Sequence, residues 1–240
     1  MINFFLFSIV NIKKNPKLRA IMEKITTKDD SITFVSEDFD ETYHSTTGAR
    51  EEAFKKFVEP CKDVIEKNDT IKVLDICFGM GYNSAALLDY TSKYPGKKIF
   101  ITGLENDEAI INKATYNDKS GFDNYSIIQE LVQSQKKNRF KLDKGIIKIK
   151  LIVNNARESI KKINNKFHIV FLDPFSPKNC PELWEEEFFK DIYDRMEKGG
   201  ILTTYSCARL VRDNLKAVGF KVEDGPKVQR RGPSTIATKE

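Results

Sequence analysis

From residue 71 onward, short apolar runs typical of buried strands alternate with longer stretches that have helical spacing. The segments predicted as strands are 71–76, 98–104, 146–153, 167–172, 201–205, 220–223 and 234–238. The segments predicted as helices are 83–94, 106–117, 123–138, 156–163, 181–196 and 207–218. Parallel neighbours need a crossover that a helix usually provides, so the alternation predicts an α/β fold with a mostly parallel sheet covered on both faces.

The residues before 71 follow a different pattern. A short strand is predicted at 31–35, and a helix is expected to begin near Gly48. We interpret residues 22–70 as a small cap packed on an α/β domain that runs from 71 to 240. The apolar stretch at 1–10 is too short to span a bilayer, and its basic residues follow it instead of preceding it. Residues 1–21 are therefore expected to be an extension, not a targeting signal.

Composition narrows the class of protein. A length of 240 residues suits one domain, and 40% hydrophobic with 31% charged residues indicates neither disorder nor a membrane fold. The net charge of +5 is compatible with a nucleic-acid partner without demanding one. The four cysteines form no Cys-x-x-Cys pair and there are two histidines, so no metal site is expected. Free cysteines favour a reducing, cytoplasmic location.

The turn after the first core strand is the first candidate site. Gly79 and Gly81 let the backbone approach a ligand there, and the following helix offers free N–H groups. Glu105 ends the next strand, where an acid can accept the hydroxyls of a nucleotide ribose. This spacing suits NAD and S-adenosylmethionine equally. A carboxylate at Asp75, four residues before the first glycine, favours S-adenosylmethionine because it can accept the methionine amino group.

Two polar residues follow later strands. Asn155 can accept a hydrogen bond from an adenine amino group, and it suits a helix N-cap equally well. Asp173 ends the apolar run 169–172, and three prolines then stiffen the loop that follows. If the methyl acceptor is an alkylamine, a carboxylate at this position can orient its nitrogen and take up its proton. Phe175 can line the site or stack on a base. The alternative is that Asp173 only turns the chain.

Several short motifs occur together. They are Phe78 to Asn83, Phe171-Leu172-Asp173-x-Phe175-x-Pro177, Cys180 to Trp184, Gly199 to Tyr205, Val211-Arg212, Gly219-Phe220, Tyr43 to Ser45, and Gly48-Ala49 with Glu51. Together they resemble the methyltransferase half of the MnmC family, the tRNA enzymes that complete 5-methylaminomethyl-2-thiouridine at the wobble position. The resemblance covers about 31–240. It departs from the family at Asn155, where an Asp is usual, and at Cys77, where a glycine is usual.

The resemblance implies a class I methyltransferase fold, Rossmann-like and doubly wound, with S-adenosylmethionine as the methyl donor and tRNA as the partner. The expected catalytic residues are Asp173 and Phe175. The expected cofactor-binding residues are Asp75, Phe78, Gly79, Gly81, Asn83, Glu105, Asn155 and Asp173. The expected substrate-binding residues are Tyr43, His44, Glu51, Pro177, Lys178, Arg209, Arg212, Arg230 and Arg231. His44 is equally well explained as a packed histidine.

Basic residues cluster at 136–150, a segment that contains seven lysines and arginines and one acidic residue. Such a cluster either attracts RNA phosphates or forms an ordinary solvated face. Three other functions remain open on the sequence. They are a class I methyltransferase acting on a different amine, an RNA-binding module that kept the fold without catalysis, and a nicotinamide enzyme.

Overall fold

The structure is a computed structural model that describes residues 22–117, 120–135, 139–228 and 232–240. The predicted extension at 1–21 and the predicted contacts of Arg230 and Arg231 lie outside the described residues. The strands are β1 (Lys24–Thr26), β2 (Ile32–Ser36), β3 (Glu41–Thr42), β4 (Thr70–Ile76), β5 (Lys98–Glu105), β6 (Arg139–Lys144), β7 (Ile147–Val153), β8 (Phe167–Leu172), β9 (Met196–Thr204), β10 (Phe220–Asp224) and β11 (Thr235–Lys239). The α-helices are α1 (Ala49–Glu52), α2 (Lys62–Lys67), α3 (Tyr82–Thr91), α4 (Glu108–Lys113), α5 (Tyr125–Gln133), α6 (Ala156–Lys161), α7 (Glu186–Asp194) and α8 (Arg209–Val218).

Among the described residues, eight strands form the central sheet in the order β10-β11-β9-β8-β4-β5-β7-β6. The strands from β9 to β7 in this order run parallel, and β11, β10 and β6 pair antiparallel at the two sides. The predicted α/β class with a mostly parallel sheet is confirmed. The chain moves outward from β4 through β5 to β7, then returns to β8 on the other side of β4. The carboxyl ends of β4 and β8 therefore meet at a switch point, where open α/β sheets bind their ligands.

Two hydrophobic clusters cover the faces of this sheet. One contains buried side chains of α3 and α5 together with Ile32, Phe57 and Ile65 from the segment before residue 70. The other contains buried side chains of α6, α7 and α8 with Trp184. The segment before β4 therefore shares a core with the sheet and packs on one of its faces, while the opposite face is covered by the later helices.

The segment before β4 begins with a three-stranded antiparallel sheet, β1-β2-β3, of which only the central strand was anticipated. A helical run follows: α1 passes into a π-helical turn (Ala53–Val58), then a 3₁₀ turn (Glu59–Cys61), and then α2. A π turn widens the helix and changes which carbonyls are paired inside it. The hydroxyl of Thr203 in β9 donates to the carbonyl of Phe57 at 3.2 Å, which ties this turn to the sheet.

One strand was not predicted, and one predicted helix is wrong in its bounds. Residues 139–144, part of the basic cluster at 136–150, form β6, which pairs antiparallel with β7 at the edge of the sheet. The helix predicted over 181–196 is instead a 3₁₀ turn (Pro181–Leu183) followed by the shorter α7, and β9 already begins at Met196. The break has a physical reason: Trp184 is buried, and its indole N–H donates to the carbonyl of Phe175 at 2.9 Å.

Within the described ranges, no helix combines the length and apolar character needed to cross a bilayer.

Candidate active site

A cavity of about 500 Å³ opens where β4, β5 and β8 end, and the segment around β3 lies across it. Of the residues expected in the site, seven contribute to its lining: Tyr43, His44, Gly79, Glu105, Asn155, Asp173 and Phe175. They come from the cap, from the turn after β4, and from the ends of β5, β7 and β8. The fold therefore brings together residues that lie up to 132 positions apart in the sequence (Tyr43 to Phe175).

The turn after β4 places three residues in the left-handed region: Cys77 (φ 63°), Gly79 (φ 55°) and Gly81 (φ 76°). A Cβ at Gly81 would lie 2.7 Å from the ring of Phe78, whereas a Cβ at Gly79 would meet only the His44 ring, at 3.9 Å. Gly81 is thus required by packing, and Gly79 leaves open space at the cavity wall. Phe78 is buried and supports the turn from behind instead of lining the cavity.

The carboxylate of Glu105 holds the turn in place from the end of β5. Its Oε2 accepts from Gly79 N at 2.8 Å, and its Oε1 accepts from the backbone of Asn106 at 2.8 Å and of Asp107 at 3.0 Å. Burial raises the pKa of this carboxyl, and the backbone donors oppose that rise. A carboxylate offers about four acceptor positions, so Oε2 can still accept one ribose hydroxyl from the cavity.

Asp75 lies behind the cavity wall and is fully buried. The Ser84 hydroxyl donates to its Oδ2 at 2.6 Å, while Oδ1 is buried without a hydrogen-bond partner. Burial raises the pKa of Asp75 to about 7, against the effect of Ser84. An unpartnered buried oxygen beside the glycine turn fits a ligand that brings an amino group. Direct contact between Asp75 and such a group stays a prediction.

Asp173 ends β8 and faces the cavity half-buried. The side-chain amide of Asn83, in the first turn of α3, donates to its Oδ2 at 3.0 Å. Burial, and then the negative charge of Glu52, raise the pKa of Asp173 to about 8, while the Asn83 hydrogen bond opposes them. The carboxyl therefore exchanges its proton close to neutral pH, which is the property a general base needs.

Aromatic rings stand beside this acid. Phe175 stacks on Phe39 with ring centroids 4.5 Å apart and meets Tyr43 edge-on at 5.1 Å. The Tyr43 hydroxyl donates to Asp107 at 2.7 Å, which fixes its ring. All four residues line the cavity. The aromatic group offers a flat apolar surface to a planar ligand.

The cap also fixes the loop that follows Asp173. Glu41 accepts from the backbone N–H of Ser176 at 3.0 Å and from the side-chain amide of Asn179 at 2.7 Å, and the Ser176 hydroxyl also donates to it. On the other side, the Tyr205 hydroxyl donates to the carbonyl of Pro174 at 3.0 Å. The contacts of Glu41 and Tyr205 were not predicted, because their partners are distant in sequence. Glu41 belongs to no motif, and the motif Gly199 to Tyr205 does not indicate the partner of Tyr205.

Glu52 and Lys56 are further residues that the sequence patterns missed. Both are buried, and the lysine Nζ lies 2.5 Å from Glu52 Oε1. Glu52 lines the cavity, whereas the neighbouring Glu51, which was expected to contact substrate, is exposed outside it. A signal was present: Ala49, Ala53 and Phe57 define the buried face of the helical run, and the spacing of 52 and 56 follows that face.

The cavity lining is acidic although the whole chain carries a net charge of +5. The carboxylate residues in it are Asp38, Glu41, Glu52, Glu105, Asp107, Asp173 and Glu182. No lysine or arginine lies among the described lining residues. Such a lining attracts a cationic group and repels phosphate.

The remaining expected residues have other positions. Asn155 caps α6, and its side-chain oxygen already accepts from Arg157 N at 2.9 Å, so the N-cap interpretation is confirmed and its adenine contact stays a prediction. His44 is half-buried and stacks on Tyr82 with ring centroids 4.4 Å apart, and desolvation lowers its pKa to about 4. Pro177, Lys178, Arg209 and Arg212 lie outside the cavity lining. Arg209 and Lys178 are exposed, and Arg212 pairs with Asp224.

Residues 122–240 match a family described as S-adenosyl-L-methionine-dependent methyltransferase. The structure of MnmC2 from Aquifex aeolicus superposes with a TM-score of 0.77 at 27% identity, over 99% of this chain and 83% of that one. The Methanocaldococcus jannaschii protein MJ0670 is 35% identical over 90% of this chain and 59% of its own length. The bifunctional MnmC of Leptospira interrogans is 27% identical over 87% of this chain. The chain spans about a third of that relative (34%).

The sheet order, the glycine turn at the switch point and these matches define a class I S-adenosylmethionine-dependent methyltransferase. Within that class, the chain is homologous to the methyltransferase half of the MnmC proteins. The resemblance read from the motifs is thereby confirmed, and S-adenosylmethionine is the cofactor of the family.

Proposed function

We propose that the protein transfers methyl from S-adenosylmethionine to the aminomethyl nitrogen of the modified wobble uridine of tRNA, converting 5-aminomethyl-2-thiouridine to 5-methylaminomethyl-2-thiouridine. The observation that carries the proposal is the acidic cavity with Asp173 at the end of β8. The name of the Leptospira relative, a tRNA 5-methylaminomethyl-2-thiouridine biosynthesis bifunctional protein, supports the same substrate.

The residues around the glycine turn fit the cofactor. Gly79 leaves open space beside the cavity, Glu105 keeps one acceptor position, and Asp75 has an unpartnered oxygen nearby. In the proposal, Glu105 receives a ribose hydroxyl and Asp75 supports the methionine amino group. When bound, S-adenosylmethionine would supply an electrophilic methyl group on a positively charged sulfur.

Asp173 prepares the acceptor. An alkylamine has a pKa of roughly 10, so it arrives mostly as an ammonium ion. The ionised Asp173 carboxylate attracts that ion, aims its nitrogen and takes one proton, which leaves a lone pair on the nitrogen. Asn83 fixes the carboxylate orientation through its hydrogen bond to Oδ2.

The stacked rings are proposed to receive the uracil ring. Phe175 and Phe39 form the flat surface beside Asp173, and Tyr43 closes one edge. Stacking of a base on such rings contributes about 1–3 kcal/mol and does not depend strongly on base identity. Base selection then comes from the aminomethyl group, which must reach the acid.

The phosphates of the tRNA are proposed to stay outside the cavity. Its carboxylates repel phosphate, while the exposed Arg209 and Lys178 offer positive charge on the surface. Contacts of this kind position an RNA without reading its sequence. In this proposal the acidic cavity recognises the amine of the nucleotide, and the exposed basic residues contact the phosphate backbone.

Nucleoside mass spectrometry tests the function directly. Purified protein and S-adenosylmethionine are incubated with tRNA that carries 5-aminomethyl-2-thiouridine, and the digest is expected to gain one methyl group on that nucleoside. The matched control is an unmodified transcript of the same tRNA, which should stay unmethylated. No methylation of the aminomethylated tRNA by a protein that binds S-adenosylhomocysteine in calorimetry would refute the substrate.

A further inference from the structure

Glu52 and Lys56 form a buried ion pair at the cavity wall. The lysine side chain is 2% exposed and the glutamate side chain 11%, and their charged atoms are 2.5 Å apart. The other glutamate oxygen, Oε2, accepts from the backbone N–H of Ser45 at 3.3 Å. Glu52 lines the same cavity as Asp173. Glu52 and Asp173 thus line one cavity, and the buried Lys56 ammonium pairs with Glu52 without lining it.

Stability does not explain such a pair. Removing two charges from water is costly, and replacing a buried pair with apolar side chains of similar volume is often neutral or stabilising. The pair also spans the start of the π-helical turn, and such turns occur frequently at functional sites. An expensive pair and an unusual helix geometry coincide at a cavity wall, which points to a role in binding.

The charges leave one negative charge unbalanced. When Asp173 is ionised, Glu52 and Asp173 carry two negative charges against the one positive charge of Lys56, and a single cationic ligand group can balance the excess. The electrostatic effects on Asp173 agree with these charges: the negative Glu52 raises the pKa of Asp173, and the positive Lys56 lowers it. Asp75 and Cys77, from the end of β4 and the turn that follows it, also couple electrostatically to Asp173.

We propose that Glu52, held in place by Lys56, is a specificity-determining positioning residue that forms with Asp173 a two-carboxylate site for the ammonium form of the acceptor amine. This inference rests on the proposed amine methylation and identifies what selects its substrate. Asp173 takes the proton, and Glu52 supplies the second negative charge that draws the ammonium into the cavity. Neutral acceptors such as a hydroxyl or a ring nitrogen gain nothing from that charge and are disfavoured.

Glu52→Gln tests the proposal because it removes the charge and nearly keeps the shape, although its single amide oxygen can accept from Lys56 or from Ser45 but not from both. We expect the KM for aminomethylated tRNA to rise about tenfold or more, a loss of about 1.4 kcal/mol, with a smaller change in kcat. S-adenosylhomocysteine affinity should stay within about twofold. The matched control is Glu59→Gln, which removes an exposed carboxylate from the same helical run and the same i,i+4 spacing, in the pair with Lys55.

A second readout needs no substrate. Carbon-13 NMR of the Asp173 carboxyl in the cofactor-free protein gives its titration midpoint, and Glu52→Gln should lower that midpoint by about one pH unit because a negative neighbour is lost. The double variant with Glu52→Gln and Lys56→Met should return it toward the wild-type value. If Glu52→Gln does not fold, the double variant, which leaves no unpaired buried charge, replaces it. Because it keeps the same net negative charge as the wild type, on Asp173, its KM should stay near the wild-type value, and a rise of about tenfold would contradict the proposed charge balance.

The outcomes separate the two proposals. An unchanged KM in an active Glu52→Gln protein, or an unchanged Asp173 midpoint, would overturn the role of Glu52 and leave the proposed function standing. A wild-type protein that binds cofactor but does not methylate aminomethylated tRNA refutes the proposed function. In that case the NMR midpoint still decides whether Glu52 controls Asp173.

Discussion

The side-chain amide of Asn83 donates a 3.0 Å hydrogen bond to Oδ2 of Asp173. This bond links the first turn of the helix that follows the glycine turn to the end of the strand that carries the acid. The position of the proposed proton acceptor is thereby coupled to the same turn that shapes the cofactor side of the cavity. Because Asn83 uses one acceptor position of Oδ2, Oδ1 keeps both of its positions for an incoming amine and Oδ2 keeps one.

Replacing Asp173 with Asn should reduce methyl transfer by at least about 100-fold, because an amide cannot accept the amine proton. The fold should persist, since Asn has nearly the same shape and Asp173 is only half-buried. Single-turnover rates with aminomethylated tRNA measure the loss, and calorimetry with S-adenosylhomocysteine checks the cofactor site. Turnover of the variant near the wild-type rate would remove Asp173 from the proposed mechanism.

The affinity for S-adenosylmethionine should depend on pH through Asp173. The pKa of this carboxyl is raised to about 8, so it is mostly protonated below pH 8, and a bound sulfonium favours the ionised form. Affinity should therefore rise from pH 6.5 to about 8 and level off above it. Calorimetry on the wild type and on Asp173→Asn isolates this effect, because titration of the ligand itself is common to both. Parallel pH profiles in the two proteins would contradict the expectation.

Removing Lys56 should destabilise the protein strongly. Lys56→Met leaves the Glu52 carboxylate buried without its partner, and breaking such a pair costs about 3–5 kcal/mol. Lys55→Met removes the neighbouring lysine, whose pair with Glu59 is largely exposed, and should change stability by less than about 1 kcal/mol. Urea denaturation without cofactor measures both variants. Equal effects would mean that the Glu52 carboxylate is not left buried and unpaired when Lys56 is removed.

The glycine turn should not tolerate a side chain at Gly81. Its φ is +76°, and a Cβ would lie 2.7 Å from the Phe78 ring, so Gly81→Ala adds a steric overlap to the backbone strain. Gly145→Ala is the control, since φ there is +70° with nothing within 4 Å of the Cβ. We expect a loss of about 1–2 kcal/mol for the control and a further 1–3 kcal/mol for Gly81→Ala in chemical denaturation. Similar losses would show that the Phe78 ring moves aside freely.

The parallel core was predictable because its strands are buried on both faces and stand out as apolar runs, such as 169–172. Strand β6 was not, because Phe140 and Leu142 are its only large apolar residues among lysines and an acid. The same limit applies to β1 and β3, which have three and two residues. Elements of this kind are stabilised by partners that are distant in sequence.

For the site, motif spacing predicted the position of Asp173, Gly79 and Glu105 at one edge of the sheet. It placed the acidic residue of the cap one position early, at Glu51 instead of Glu52, because a motif match does not report which face of a helix is buried. The roles of Glu41 and Tyr205 depend on hydrogen bonds across more than 30 positions, which no local pattern contains.

The hydrogen bonds between Glu41 and the loop after Asp173 have a consequence for substrate entry. A nucleoside that enters beneath the cap must either fit the opening that exists or lift β3, and lifting β3 breaks the bonds to Ser176 and Asn179. Release of those bonds frees the backbone beside Phe175. If β3 lifts, entry of the base and loosening of the Phe175 stacking surface would occur together. The pocket would then regain its shape only after the base has bound.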